Sequence, residues 1–135
     1  MTITAEDVYA AAPYARTLGV EFFDLTGPDL WARLDFDASL STVSGGLHGG
    51  ALMGLADVTA AVCAVLNSAA GGAPATTTSA TQFLQPVTTD AHAHAVALHV
   101  SRSNVVVEVN ISDDNDRLCV RVTQTVTVRP ARRPD

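Results

Sequence analysis

The segment Gly45-Gly46-Leu47-His48-Gly49-Gly50-Ala51-Leu52-Met53-Gly54-Leu55-Ala56-Asp57 brings paired glycines, an imidazole and a carboxylate together on one apolar stretch. Paired glycines at the start of a helix let another group approach the backbone closely. The first N–H groups of a helix lack partners inside it, and the helix dipole is positive there. Such a place can hold an oxyanion. On a helix, Gly50, Gly54, Asp57 and Ala61 fall on one face, bare of side-chain bulk apart from one carboxylate. A charge on an otherwise apolar helix is costly unless it is paired or put to use. The residues alone leave two readings open: a ligand site centred on Asp57, or an Asp57 that fixes a neighbouring loop beside glycines that allow close helix packing.

The elements that must position these residues are legible around them. Thr4 and Asp7 resemble a capping box, and a helix is expected from about Ala5 to Leu18, with Gly19 as its C-cap. Val20–Leu25 reads as a strand, and Thr26-Gly27-Pro28-Asp29 as a turn. From Leu30 to Phe36 the chain alternates, with Leu30, Ala32, Leu34 and Phe36 on the buried face. Residues 37–47 form a loop, and a helix starts near His48 and runs to about Leu66. That helix is apolar on nearly every side, so it is expected to be enclosed. After a Gly- and Ala-rich loop, four strands are expected: Ala75–Leu84, Ala91–Ser101, Val105–Ser112 and Leu118–Arg129. Val105, Val107, Val109 and Ile111 share one face of the third. In the fourth, Leu118, Val120, Val122, Gln124, Val126 and Val128 share another, and Asp113-Asp114-Asn115-Asp116 is a hairpin turn. An antiparallel sheet must cover its apolar face. The economical solution is an α+β fold in which that sheet wraps around the one long central helix, as a single domain over residues 1–135.

Composition limits the function. The 135 residues carry a net charge of −6 with a pI near 4.9, against a general nucleic-acid binder. All eight basic residues are Arg, whose planar fork suits phosphate. Cys63 and Cys119 form no CxxC pair or zinc spacing and read as buried free thiols. The N-terminus has no signal-peptide pattern, and the apolar run Ala51–Leu66 is short for a membrane span and interrupted by Asp57. A cytoplasmic protein with no membrane partner is expected. His92 and His94 share a strand face, with no further ligands evident for a metal, and His99, of opposite parity, is expected to point away. Trp31 is expected in the core or an interface, and aromatics are too sparse for a base-stacking platform. There is no GxSxG, P-loop or dinucleotide fingerprint.

The stretch HGGALMGLAD, residues 48–57, resembles the signature of PaaI-type hotdog thioesterases, a His-Gly-Gly followed along the helix by Asp or Glu. The family includes phenylacetyl-CoA and hydroxybenzoyl-CoA thioesterases. Residues 13–20, PYARTLGV, are similar to its opening helix and first strand. Residues 77–87, TTSATQFLQPV, resemble its strand ending in Phe/Tyr-Leu-Arg-Pro, and Ser101-Arg102 resembles a later Gly-Arg. The resemblance implies a hotdog fold and hydrolysis of an acyl-CoA to free acid and CoA, and the small apolar walls expected of the pocket suit a medium-chain or aryl acyl group. Such hydrolysis needs no cofactor, and its site lies between two protomers of a homodimer or homotetramer. It further implies that the Gly49 N–H polarises the thioester carbonyl, that His48 positions that carbonyl or the loop, and that Asp57 is nucleophile or general base. Gly50 and Ala61 would border the substrate, Ser79 and Thr81 would line the pantetheine channel, and Arg102 would meet a CoA phosphate.

Three departures stand out. Thr42 occupies the place, six residues before the His, where the family often has Asn or Gln, with Ser41 or Ser44 as substitutes. Ala61 stands four residues after the acid, where Ser or Thr often holds water; Thr59 projects from another side of the helix. Gln85 replaces the usual Arg before Pro86. These keep a non-catalytic acyl-CoA binding module in play. A hotdog enoyl- or hydroxyacyl-thioester hydratase would carry a His-Phe-Pro loop or an Asp…His pair, and neither is visible.

Overall fold

The computed structural model describes residues 2–68 and 72–129. The N-terminal segment opens with helix α1 (Ala5–Ala11), started by Thr4: its hydroxyl accepts from the Asp7 N–H while the Asp7 carboxylate accepts from the Thr4 N–H. The single helix expected here is in fact two, because α2 (Pro13–Leu18) begins anew at Pro13. Proline has no N–H to continue α1, and it suits the first turn of a helix. Gly19, at φ 93°, ends α2 in the left-handed region.

Strands β1 (Val20–Phe23), β2 (Leu30–Leu34), β3 (Ala73–Phe83), β4 (Ala91–Val100), β5 (Asn104–Ser112) and β6 (Leu118–Arg129) form one antiparallel sheet in the order β1-β2-β4-β5-β6-β3. The sheet curls around helix α3 (Gly49–Asn67), which packs against β2, β3, β4, β5 and β6. This is the architecture the resemblance implies. Val105, Val107, Val109 and Ile111 are all buried beneath α3, as their alternation requires, each contributing about 1.5–3 kcal/mol relative to exposure. Helix α3 is long and apolar enough to cross a membrane, but half of its apolar window is buried inside the molecule, as befits a core helix.

Several boundaries differ from the sequence reading for local reasons. β1 stops at Phe23 because Asp24 takes a positive φ of 54°. β2 stops at Leu34, and Phe36 leaves the buried face with its N–H held by the Asp90 carboxylate at 2.7 Å. Leu118 is exposed rather than buried, at a strand end beside a register shift between Ile111 and Ser112. Between Ala97 and His99 a bulge shifts β4 by one residue, so that His99 pairs with Val106. Paired residues share a face, so His99 lies on the outer face with His92 and His94 rather than opposite them. Trp31 is also on that face, half exposed and stacked on His94 with ring centroids 4.1 Å apart. His92 bonds Asp114 and His94 bonds Asp29. Among the described residues no group of three or more potential metal ligands comes together.

Helix α3 is not enclosed all round. Ten of its residues are buried, but Gly50, Met53 and Asp57 are exposed and Gly54 and Ala61 are half-buried, leaving one side uncovered by the sheet. The neighbouring β3 is a sheet edge, and Thr81 is its only residue that is not exposed.

Candidate active site

His48 is the N-cap of α3, and its Nδ1 accepts the Gly50 N–H at 2.8 Å. An accepting Nδ1 leaves the ring proton on Nε2 in the neutral form. His48 is further anchored by its own N–H to the Leu40 carbonyl at 2.7 Å, while its carbonyl takes the Ala51 and Leu52 N–H groups. The first N–H of the helix, that of Gly49, has no acceptor among the described residues. A Cβ at Gly49 would lie 3.3 Å from the Phe83 ring, so the absent side chain leaves room for that ring over the helix start. Gly49 and Phe83 border a cavity of about 310 Å³ with Ser44, Gln85 and Pro86. The QFLQP segment singled out in the sequence therefore lies beside the free amide.

Asp57 lies two turns further on. Its carboxylate is exposed, not buried, in the single chain, and Oδ1 accepts from the Thr76 hydroxyl at 2.9 Å. Thr76 is a residue that sequence reasoning missed. Simple alternation would put Thr77 on the helix-facing side with Ser79 and Thr81. A bulge between Thr76 and Thr78 resets the register, so that Thr76 pairs with Val126 on the inner face. Thr76 also approaches Gln124 Oε1 at 3.4 Å, and the Gln124 amide donates to Ser79 at 3.1 Å. Gln124, only 2% exposed, thus links β6 to two residues of β3. Asp57, Ala61 and Thr76 line a cavity of about 710 Å³ between α1, α3 and the start of β3.

The remaining expected site residues are scattered. Gly50 borders a third cavity of about 340 Å³ with His48 and Ser41. Thr42 lines none of the three; it closes a turn, its carbonyl accepting from Gly45 and its N–H donating to Gly46. Its suggested substitutes do line cavities, Ser41 beside His48 and Ser44 beside Gly49. Thr59 is spent inside the helix, its hydroxyl on the Leu55 carbonyl at 2.6 Å. Ser79 and Thr81 line none of the three cavities, and the buried Thr81 hydroxyl has no partner among the described residues. Arg102 is exposed between β4 and β5 and forms no ion pair among the described residues. Arg16, Arg33, Arg117 and Arg121 each hold a carboxylate. The cysteines are no rivals as nucleophiles: burial and then the charge of Asp29 push the Cys63 thiol up to about 11, and burial raises that of Cys119.

One geometric fact governs what this arrangement can do. Gly49 and Asp57 are eight residues apart on one helix, or about 12 Å along its axis. A carbonyl resting on the Gly49 amide and a group attacking it must be within about 3.5 Å of each other. One protomer's amide and carboxylate cannot serve the same carbonyl.

A family model described as a domain of unknown function, DUF4442, matches residues 3–128. No curated protein matches the sequence significantly. Among solved structures, a thioesterase from Haemophilus influenzae superposes with a TM-score of 0.85 at 22% identity, covering 96% of this chain and 93% of that one. The PaaI protein of the Escherichia coli phenylacetic acid degradation operon gives 0.83 at 18% identity, over 93% and 90%. A Mycobacterium tuberculosis protein proposed as an esterase gives 0.82 at 27% identity, over 90% and 100%. The fold is the hotdog fold shared with the Haemophilus influenzae thioesterase and the PaaI protein.

Proposed function

The chain belongs to the DUF4442 family, and from that premise we propose that it is a thioester hydrolase that cleaves an acyl-CoA to free acid and CoA. The observation that carries the proposal is the pairing of two separate chemical functions on α3: an N–H at its positive end without a partner among the described residues, and a hydroxyl-bonded carboxylate facing a cavity of about 710 Å³. Hydrolysis of a thioester needs a donor for the developing oxyanion and a base or nucleophile at the carbonyl carbon. The named thioesterases that share the fold, and the Mycobacterium tuberculosis protein proposed as an esterase, support the same reading.

In this reading the Gly49 N–H polarises the thioester carbonyl, while His48 fixes the helix start by capping Gly50. Asp57 attacks as nucleophile, forming a mixed anhydride, or activates water as general base. Thr76 holds the carboxylate, compensating for the missing hydroxyl at Ala61. No cofactor takes part, and the protein works in the cytoplasm. The helix rise of about 12 Å between Gly49 and Asp57 implies that each site combines Asp57 of one protomer with Gly49 of a second. The exposed edge strand β3 beside the open side of α3 is the surface such a dimer would cover.

The departures at Thr42 and Ala61 favour one alternative, a non-catalytic acyl-CoA binding module. One assay separates the readings, using acyl-CoA cleavage, enoyl-CoA hydration and acyl-CoA binding with wild type and Asp57→Asn. The hydrolase reading expects turnover that falls by at least about a hundredfold in Asp57→Asn, with fold and assembly retained. Tight binding by wild type without turnover supports the binding module, and enoyl-CoA hydration supports a hydratase.

A further inference from the structure

Gln124 is out of keeping with its strand. Its neighbours on the inner face of β6 are Val120, Val122, Val126 and Val128, all buried, yet at 2% exposure it places a carboxamide among them. A buried carboxamide is costly unless its oxygen and nitrogen both find partners. The nitrogen, Nε2, donates to the Ser79 hydroxyl at 3.1 Å, which orients the amide and turns Oε1 toward Thr76 Oγ1 at 3.4 Å. A valine would continue the strand's pattern, so the polar groups that Gln124 meets, rather than core packing, account for its type.

The Thr76 hydroxyl has one proton and two acceptors, Asp57 Oδ1 at 2.9 Å and Gln124 Oε1 at 3.4 Å. A charged acceptor bonds about twice as strongly as a neutral one, so the proton belongs to Asp57 while the carboxylate is ionised. Both mechanisms open to Asp57 consume that charge. As a base it takes a proton from the water whose oxygen bonds the acyl carbon, and it yields that proton to the leaving thiolate. As a nucleophile it bonds the acyl carbon as the C–S bond breaks; water then cleaves the anhydride, and its spare proton goes to the thiolate. With Oδ1 bonded to Thr76, the reacting oxygen is Oδ2, and Oδ1 becomes the carbonyl oxygen of an acid or anhydride. An amide oxygen is a stronger acceptor than that.

We propose that Gln124 is a positioning residue for the hydrolysis. The Thr76 hydroxyl turns from Asp57 Oδ1 to Gln124 Oε1 when the carboxylate loses its charge, and turns back when the charge returns. This rests on the hydrolase reading above and adds to it a residue that touches neither the substrate nor the acid. The exchange needs only rotation about the Thr76 Cβ–Oγ1 bond. At 2% exposure, Gln124 is shut off from bulk water, which keeps its oxygen in reserve for that proton.

The test uses Gln124→Met, which keeps the side chain's length and removes the amide, and Thr76→Val, singly and combined, at a temperature where circular dichroism shows every variant folded. Gln124→Met is expected to lower kcat about fivefold and to leave KM within about twofold of wild type. In the Thr76→Val background the same change is expected to alter kcat by less than about twofold, since the hydroxyl that links the two residues is gone. An unchanged kcat in Gln124→Met, a rise in KM, or a loss that multiplies with that of Thr76→Val overturns the proposal. A second measurement needs no turnover. Asp57→Leu removes the charged acceptor and leaves the Thr76 proton to Gln124, so the side-chain amide NMR resonances of Gln124 are expected to shift. That shift should fall by more than about half when Thr76→Val is also present. An equal shift with and without the Thr76 hydroxyl overturns the switch. If no ester is cleaved, the hydrolase reading fails by itself, and the resonance shifts alone decide for or against the switch.

Discussion

Asp57 meets the Thr76 hydroxyl across the gap between α3 and the edge strand, and this contact holds the carboxylate that the proposed chemistry needs. A hydrogen bond to a charged group contributes about 1.5–3 kcal/mol when well buried and less where water competes. Thr76→Val is expected to lower kcat about tenfold, while Thr76→Ser, which keeps the hydroxyl, should remain within about threefold. Steady-state kinetics with circular dichroism of both variants check this. Arg102 is the proposed phosphate contact: it has no carboxylate partner among the described residues, so its guanidinium is free to take a phosphate. Arg102→Ala is expected to raise KM for CoA esters about tenfold and leave thioesters lacking the nucleotide unchanged; equal effects on both remove it from the site. Residue types singled out His48, Gly49 and Asp57 as candidates, because an imidazole, a bare backbone and a lone carboxylate are unusual on an apolar helix, while the roles proposed for them come from the family resemblance. Thr76 was not readable, since its direction depends on a one-residue bulge inside a run of three threonines.

At the scale of elements, the helix and the hairpins owe their ends to identifiable groups. The β5–β6 turn is organised by Asp113, a nearly buried carboxylate that accepts from the N–H groups of Asn115 and Arg117 and from the Arg117 guanidinium. The Arg117 backbone bond is the largest influence holding its carboxyl below the usual carboxylate range, and burial opposes it. A carboxyl lowered in the folded state stabilises fully above its unfolded pKa, near 4, and loses that contribution as pH falls through the folded value. Asp113→Asn is therefore expected to lower Tm at pH 7 and to flatten the fall in Tm below about pH 4; a parallel acid limb in both proteins would contradict this. Alternation located β2, β4, β5 and β6 and apolarity located α3, because side chains buried against one another enforce periodicity. The strand ends and the break at Pro13 were misjudged, since they hinge on single backbone groups: the positive φ of Asp24, the bond from Phe36 to Asp90 and the missing proline N–H. The parity of His99 was lost for the same reason as that of Thr76, a bulge that periodicity does not reveal.

For the whole molecule, the open side of α3 and the exposed edge strand belong to one account. The sequence reading expected a helix enclosed on every side, because its residues are apolar all round. One sheet covers only part of that circumference, and the stripe bearing Gly50, Gly54 and Asp57 is left outside it. That stripe carries an amide at one end and an acid at the other, too far apart to act together within one chain. Complementation between two disabled chains tests this directly. Gly49→Pro removes the amide at the first helical position, where proline is tolerated by the backbone. His48, at φ −62° and ψ 140°, already has the extended conformation that precedes proline. Gly49→Ala, which keeps the amide but adds the same Cβ against Phe83, controls for crowding of that ring. Asp57→Asn removes the acid. Gly49→Pro and Asp57→Asn are each expected to be nearly inactive alone, but co-refolded together they should recover about a quarter of wild-type activity, because half the dimers are mixed and each mixed dimer has one intact site. Mixed dimers captured through two different tags, yet no more active than their parents, would contradict the shared site.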